Sequence, residues 1–150
     1  MNPRPARSSS TRIIRNRYFL LSDAALLFCA VPLLYTLRFD GLSWTQFAWA
    51  DAWLFASIGT VVSLALYLAT GLYRRLWMSA SLPQLEQLLS SGVLAGLASI
   101  AVGAWVFPSS GLTSSRIPNI ITVLFAALAL AVPALVRFVP RIALRPRAVS

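Results

Sequence analysis

The stretch TGLYRRLWMSASLPQLEQLL, residues 70–89, places two adjacent arginines between Tyr73 and Trp77. Long apolar runs flank it on both sides, in a chain that is 58% hydrophobic and only 11% charged. About a quarter of the residues of a soluble domain are charged, so this composition indicates a chain that lies in a membrane. Arg74 and Arg75 are then expected at a membrane surface, between the end of one span and the start of the next.

Four apolar runs are long enough to cross the hydrocarbon layer, which takes about twenty residues in a helix. They are residues 18–37, 53–72, 88–107 and 117–139. We therefore predict an all-α membrane protein, a bundle of four transmembrane helices within a single domain (residues 18–139). A basic arm (1–17) precedes the bundle and a basic tail (140–150) follows it.

The arginines predict how the bundle is oriented, since the chain has thirteen basic residues and all of them are arginine. Four crossings bring eleven of them to one side, in the arm, the loop between spans two and three, and the C-terminal end. Only Arg38 and Arg116 fall on the other side. Because positive residues collect on the cytoplasmic side of a membrane, both termini are predicted to be cytoplasmic.

Several functions are excluded by residue types that the sequence lacks. It contains no His and its one cysteine is Cys29, so a zinc site, a disulfide within the chain and Cys/His catalysis are excluded. It contains no Lys, which excludes a GxxxxGK[ST] phosphate-binding loop. The arginines cluster at the edges of apolar runs and not along one basic face, which disfavours nucleic acid as a partner. We predict no catalytic residue, no metal ligand and no cofactor-binding residue in this chain.

The quoted stretch itself predicts contact with lipid. The guanidinium groups of Arg74 and Arg75 can bind anionic headgroups, and the amphipathic rings of Tyr73 and Trp77 suit the membrane interface. We therefore expect these four residues to contact the bilayer surface.

Two charged pairs are candidates for specific roles. Asp23 lies six residues after Arg17, about 9 Å along a helix, and an acid within a span is a functional candidate. We predict an ion pair between Asp23 and Arg137, with a proton or substrate relay as the alternative. Arg38 and Asp40, on the outer side, are interpreted as anchors whose charged groups reach the surface.

Small residues recur along the third span. Gly92 and Gly96 form a GxxxG pair, and Ala95, Ser99 and Gly103 form a second ridge at a spacing of four. Such ridges allow helix backbones to approach closely. They predict contacts within the bundle, with a dimer interface as the alternative, so the oligomeric state stays open.

Several motifs together resemble a known family. They are Asp23 early in the first span, LRFDG at residues 37–41, GLYRRLW at 71–77 and SRIP at 115–118. This set resembles the N-terminal four-helix membrane domain of CapD-type polysaccharide-biosynthesis proteins, which are membrane-anchored nucleotide-sugar 4,6-dehydratases and epimerases. The resemblance extends from about Arg15 to Arg145.

The resemblance implies a role as a membrane anchor or docking module in a bacterial inner membrane. In that family the anchor is followed by a cytoplasmic dehydrogenase/reductase domain that binds NAD(P) and performs the chemistry. These 150 residues contain no GxxGxxG loop, so NAD(P) is expected only in the catalytic domain that they lack. The implied partners are a cytoplasmic nucleotide-sugar enzyme or proteins of lipid-linked glycan synthesis. WMSAS, residues 77–81, departs from the family, which tends to have a basic residue and a tyrosine there.

Other functions stay open at this point. A similar four-span anchor occurs on polyprenyl-phosphate sugar-phosphate transferases. A small four-helix transporter or flippase, comparable to the GtrA-like and small multidrug families, is the alternative from another class. A third interpretation is a truncated gene product.

Overall fold

A computed structural model describes residues 10–73, 82–114 and 116–143 of the chain. Within these residues every regular element is helical, which confirms the predicted all-α class. The elements are α1 (Ser10–Arg38), a 3-10 helix (Ser43–Gln46), α2 (Trp49–Ala69), α3 (Leu82–Ala101) and α4 (Asn119–Ala143). α3 continues without a break through a π-helical segment (Val102–Val106) and one further α-helical turn (Phe107–Ser110).

Four helices are long and apolar enough to cross a membrane, so the chain is a multi-pass membrane protein. Their apolar windows are Arg17–Arg38, Trp49–Ala69, Leu85–Ser110 and Asn119–Arg137. Each helix packs on its neighbours in a closed cycle: α1 on α2, α2 on α3, α3 on α4, and α4 back on α1. Large rings fill the centre, where Phe55 makes edge-to-face contacts with Phe107 and Phe125.

The second helix spans different residues from the predicted 53–72, because a glycine ends it early. Gly71 adopts a left-handed conformation (φ 74°). Its N–H donates to the Leu68 carbonyl, and the N–H of Leu72 donates to the Tyr67 carbonyl at 2.9 Å. These two bonds form a Schellman motif, which satisfies the last carbonyls of the helix and turns the chain away from its axis. Leu72 is thereby buried at the end of the bundle.

The third span is longer than the predicted 88–107 and contains a widened turn. The N–H of Phe107 donates to the carbonyl of Val102, five residues earlier. The next residue is Pro108, whose ring would collide with the carbonyl four residues before it in a regular α-helix. A π-helical turn directly before the proline relieves this collision. The helix then ends at Gly111, which is left-handed (φ 66°).

The predicted glycine pair of α3 packs against α4 of the same chain. A Cβ atom on Gly92 would lie 2.9 Å from Cα of Leu130, and one on Gly96 would lie 3.1 Å from the carbonyl oxygen of Ala126. Real Cβ atoms essentially never approach another atom below 3.0 Å, so Gly92 admits no larger residue without a backbone shift. The GxxxG pair therefore makes the close helix contact within the bundle that the sequence predicts.

The second ridge of α3 makes polar as well as close contacts. Ser99 donates to the Ala95 carbonyl and lies 3.4 Å from the Ser63 hydroxyl of α2, with both side chains buried. A Cβ atom on Gly103 would lie 2.7 Å from Thr122 of α4. The first ridge thus faces α4 and the second contacts both α2 and α4, so that the third span packs on both neighbours.

Candidate functional site

A buried salt bridge joins the first and last helices near the end of the bundle where the first span begins and the fourth span ends, which we call the terminal end of the bundle. Nη1 of Arg137 lies 3.2 Å from Oδ2 of Asp23. The exposed fractions of the two side chains are 2% for Arg137 and 0% for Asp23. The structure therefore brings together the two residues that the sequence suggests as a pair.

Tyr73 completes this cluster from the end of α2. Its hydroxyl donates a hydrogen bond of 2.7 Å to the same Oδ2 atom of Asp23. The Schellman motif at Gly71 causes this placement, because it turns the chain back so that Leu72 and Tyr73 lie over the bundle. Burial, and then the Asp23 carboxylate, raise the pKa of the Tyr73 hydroxyl, so it keeps its proton and acts as a donor.

Arg137 makes further contacts that fix its guanidinium group. Nη1 also donates to the Pro133 carbonyl, one turn earlier in α4, at 2.8 Å. The guanidinium carbon lies 5.6 Å from the ring centre of Phe19 and 5.3 Å from that of Tyr73. Aromatic faces attract a desolvated cation, so these rings stabilise the arginine where water is excluded. We call Asp23, Tyr73 and Arg137 the terminal cluster.

The terminal cluster is closed to solvent. Tyr73 is 5% exposed, and the two charged side chains are more deeply buried. Among the described residues, the second carboxylate oxygen of Asp23 accepts no hydrogen bond. Removing one partner of such a pair leaves an uncompensated buried charge, which costs about 3–5 kcal/mol in soluble proteins. The arrangement is suited to holding three chain segments together and not to exchanging a substrate with water.

A second polar group at the terminal end joins α2 to α3. Nε2 of Gln87 donates a 2.7 Å hydrogen bond to the carbonyl of Thr70, the residue that follows α2. The Thr70 hydroxyl accepts a 2.8 Å bond from Ser91. A helix end needs partners for its last carbonyls, and α3 supplies them here. The sequence signal was available, since polar residues at 87 and 91 lie one turn apart at the start of an apolar helix.

Tyr67 compensates for a proline in α4. Pro133 has no N–H, so the Ala129 carbonyl loses its partner within the helix. The buried Tyr67 hydroxyl of α2 donates a hydrogen bond to this carbonyl. Sequence reasoning missed the contact, although a tyrosine inside an apolar span indicates that its hydroxyl needs an acceptor.

At the opposite end of the bundle, Asp51 of α2 contacts the segment that precedes α4. It lies in the first turn of α2, where a carboxylate is favoured by the helix dipole, and it is buried. Its Oδ1 atom accepts a 3.0 Å bond from the backbone N–H of Ser114. The segment leading into α4 is thereby held against α2, and Ile117 of the same segment is buried.

The remaining predicted residues have different positions. Arg74, Arg75 and Trp77 lie outside the described residues, so their predicted contact with headgroups stays a prediction. Tyr73 differs from the expectation, since it is buried with its hydroxyl on Asp23 and does not present its ring to the lipid interface.

The predicted outer pair lies at the surface. Arg38 and Asp40 are both exposed, and the guanidinium carbon of Arg38 is 5.8 Å from the ring centre of Phe39. Asp40 has a left-handed backbone (φ 49°) in the turn that ends α1. The two charged residues flank Phe39 in the sequence, and their role as anchors at a membrane surface stays a prediction.

The described residues contain no group of three or more His, Cys, Asp and Glu that could hold a metal ion. Comparison with known proteins finds no matching family model, no matching curated protein and no matching solved structure. The terminal cluster is therefore interpreted from its own geometry.

Proposed function

We propose that this chain is the membrane anchor or docking module of a cell-surface polysaccharide biosynthesis protein of the CapD type. It would hold a nucleotide-sugar-modifying enzyme at the cytoplasmic face of a bacterial inner membrane, with NAD(P) bound by that enzyme and not by the anchor. The observation that carries the proposal is the 2.7 Å bond between Tyr73 and Asp23. Tyr73 belongs to the GLYRRLW motif and Asp23 is the acid early in the first span, so two of the motifs that carry the resemblance each supply one residue of the cluster.

The closure of the terminal cluster supports an anchoring role. An anchor needs a bundle that keeps its shape, and the cluster joins α1, the end of α2 and α4 through buried polar contacts. Four crossings return the chain to the side on which it starts. The arginine distribution favours the cytoplasm for that side, and the resemblance implies that the nucleotide-sugar enzyme lies there too.

The transporter alternative has less support from the acidic residues. A coupled transporter is expected to carry an acid near the middle of a span that substrate or protons can reach. The chain has four acids. Asp23 is sealed against Arg137, and the others lie in an exposed turn (Asp40), in the first turn of α2 (Asp51) and near the start of α3 (Glu86).

Fractionation of cells that carry this gene tests the proposal. Nucleotide-sugar 4,6-dehydratase activity is measured in the membrane and soluble fractions of the parent strain and of a deletion strain. We expect the membrane-bound share to fall on deletion and to return when the chain is expressed again. The Cys29→Ala variant is the matched control, because Cys29 is exposed on the outside of the bundle and should be dispensable.

A membrane-bound share that does not change on deletion contradicts the anchor. Proton-coupled uptake by the purified chain in vesicles would favour the transporter instead. Failure of the chain to accumulate in membranes would favour a truncated gene product.

A further inference from the structure

Aromatic rings form a continuous layer at the end of the bundle opposite the terminal cluster. Tyr35 of α1 lies 5.2 Å from Trp44 of the 3-10 helix, measured between ring centres, and Trp44 stacks on Trp49 of α2 at 6.0 Å. Phe39 extends the layer to Phe47 at 5.4 Å. We call these five rings, together with Leu42, the aromatic shelf.

The shelf is held rigidly on the ends of α1 and α2. Trp44 is buried, and its indole N–H donates a 3.1 Å bond to the hydroxyl of Thr36. The turn before it is fixed by the left-handed Asp40 and by the bond from the Gly41 N–H to the Thr36 carbonyl. These contacts keep the connection between the helices, residues 39–48, folded down on the bundle.

Part of the shelf is apolar and uncovered although it lies between the two spans. The exposed fractions are 68% for Leu42, 57% for Phe47 and 54% for Trp49. A connection surrounded by water would be expected to bury such side chains or to replace them with polar ones. Gln46, one residue before Phe47, is exposed as well, so the connection has polar and apolar surfaces side by side.

Two observations favour lipid as the cover of this apolar surface. Leu33 and Leu37 are exposed on the membrane-spanning part of α1, where hydrocarbon is expected to cover them, and they lie next to the shelf in the chain, so the same apolar surface continues onto it. The exposed guanidinium of Arg38 packs over Phe39, where it can meet a lipid phosphate. Aromatic rings beside an arginine are typical of the boundary between hydrocarbon and headgroups.

We propose that the aromatic shelf is a lipid-binding surface, with the connection 39–48 lying within the headgroup layer of the membrane and Arg38 bound to a lipid phosphate. The shelf fixes the depth of the bundle at this end, independently of the enzyme that the terminal end is proposed to hold. This proposal does not depend on which side of the membrane carries the termini.

Accessibility of nitroxide labels tests the proposal on the full chain, in vesicles of phosphatidylethanolamine and phosphatidylglycerol. Single cysteines replace Leu42, Phe47 or Gln46 in a Cys29→Ala background, and Leu33→Cys provides the reference inside the hydrocarbon. Each label is probed with oxygen, which concentrates in lipid, and with a nickel chelate, which stays in water. These side chains are exposed, so the substitutions should leave the fold intact, and circular dichroism checks this.

We expect the oxygen-to-nickel collision ratio at residues 42 and 47 to exceed that at residue 46 several-fold and to lie below that at residue 33. Adding Arg38→Glu should shift the label at residue 42 toward the nickel reagent, whereas Arg38→Lys should not. Ratios at 42 and 47 equal to that at 46 would overturn the proposal, because the connection would then project into water. Protection from both reagents would also overturn it, in favour of a second copy or another protein on the shelf.

Discussion

Asp23 and Arg137 are 114 residues apart in the sequence, yet Nη1 of the arginine lies 3.2 Å from Oδ2 of the acid in a fully enclosed pair. The pair joins the first helix to the last and so closes the cycle of four. Tyr73 bonds the same oxygen from the end of α2, which brings three parts of the chain to one atom.

We predict that replacing one residue of this pair destabilises the bundle and that replacing both is tolerated. Asp23→Leu or Arg137→Leu should each lower the free energy of unfolding by about 3–5 kcal/mol, because the remaining charge stays buried without its partner. The double variant should recover most of that loss, since it buries no charge. The free energy of unfolding of the two single variants and of the double variant is measured in mixed detergent micelles. A double variant whose loss equals the sum of the two single losses would mean that the pair has no coupling.

Tyr73 offers a finer test of the same cluster. Tyr73→Phe removes only the hydroxyl and should cost about 1–2 kcal/mol, because the carboxylate loses one of its two charge-stabilising partners. The same substitution at Tyr18, which is exposed on α1, is the matched control and should be neutral. Equal effects at the two positions would contradict a specific role for the Tyr73 hydroxyl.

The bond from Tyr67 to the Ala129 carbonyl predicts a dependence on Pro133. Tyr67→Phe should destabilise the parent by about 1 kcal/mol, because it leaves a buried carbonyl without a partner. In a Pro133→Ala background the helix supplies its own N–H to that carbonyl, so the same substitution should cost less. A double-mutant cycle measures the difference. Additive effects would show that the contribution of the Tyr67 hydroxyl does not depend on Pro133.

The two glycines of the GxxxG pair should differ in their tolerance of alanine. A Cβ atom at Gly92 meets the backbone Cα of Leu130 at 2.9 Å, whereas one at Gly96 meets the Ala126 carbonyl at 3.1 Å. Gly92→Ala should therefore destabilise the bundle more than Gly96→Ala. Val93→Leu, on the exposed face of the same helix, is the control and should be neutral. Detergent melting that ranks the two glycines in the opposite order would contradict this packing.

The sequence predicts the architecture well because membrane spans depend on a simple quantity, the length of an apolar run. It does not predict where each helix ends, since ends depend on backbone geometry. The early end of α2 at Gly71 and the widened turn before Pro108 both follow from local conformations that hydropathy does not detect.

The terminal cluster is only partly accessible to sequence reasoning. A lone acid and a lone arginine in two apolar spans suggest each other as partners, since each needs a counter-charge. Tyr73 has no such signal. Beside Arg74 and Trp77 it resembles an interfacial ring, and only the Schellman motif at Gly71 turns it inward.

Topology is open to a direct test with single cysteines in a Cys29→Ala background. Cysteines at positions 9, 79 and 150 should resist an impermeant thiol reagent in intact cells, and one at Ser110 should react. The reason is the excess of arginine on the side that holds both termini. Labelling at position 79 would contradict the predicted cytoplasmic position of the loop between spans two and three.

Arg74 and Arg75 provide a prediction about insertion into the membrane. A role that depends only on positive charge and a role that depends on the guanidinium group predict different effects of replacing both arginines by Lys. If Arg74 and Arg75 hold the loop between spans two and three on the cytoplasmic side, charge alone matters, and changing both to Lys should leave insertion unchanged. Changing both to Glu should then reduce correct insertion, measured with the thiol reagent at position 79. If the pair instead grips a phosphate through the guanidinium fork, Lys should be nearly as damaging as Glu. We expect the Lys variant to resemble the parent, because Tyr73 already fixes the start of this loop on Asp23 and the arginines need only supply positive charge.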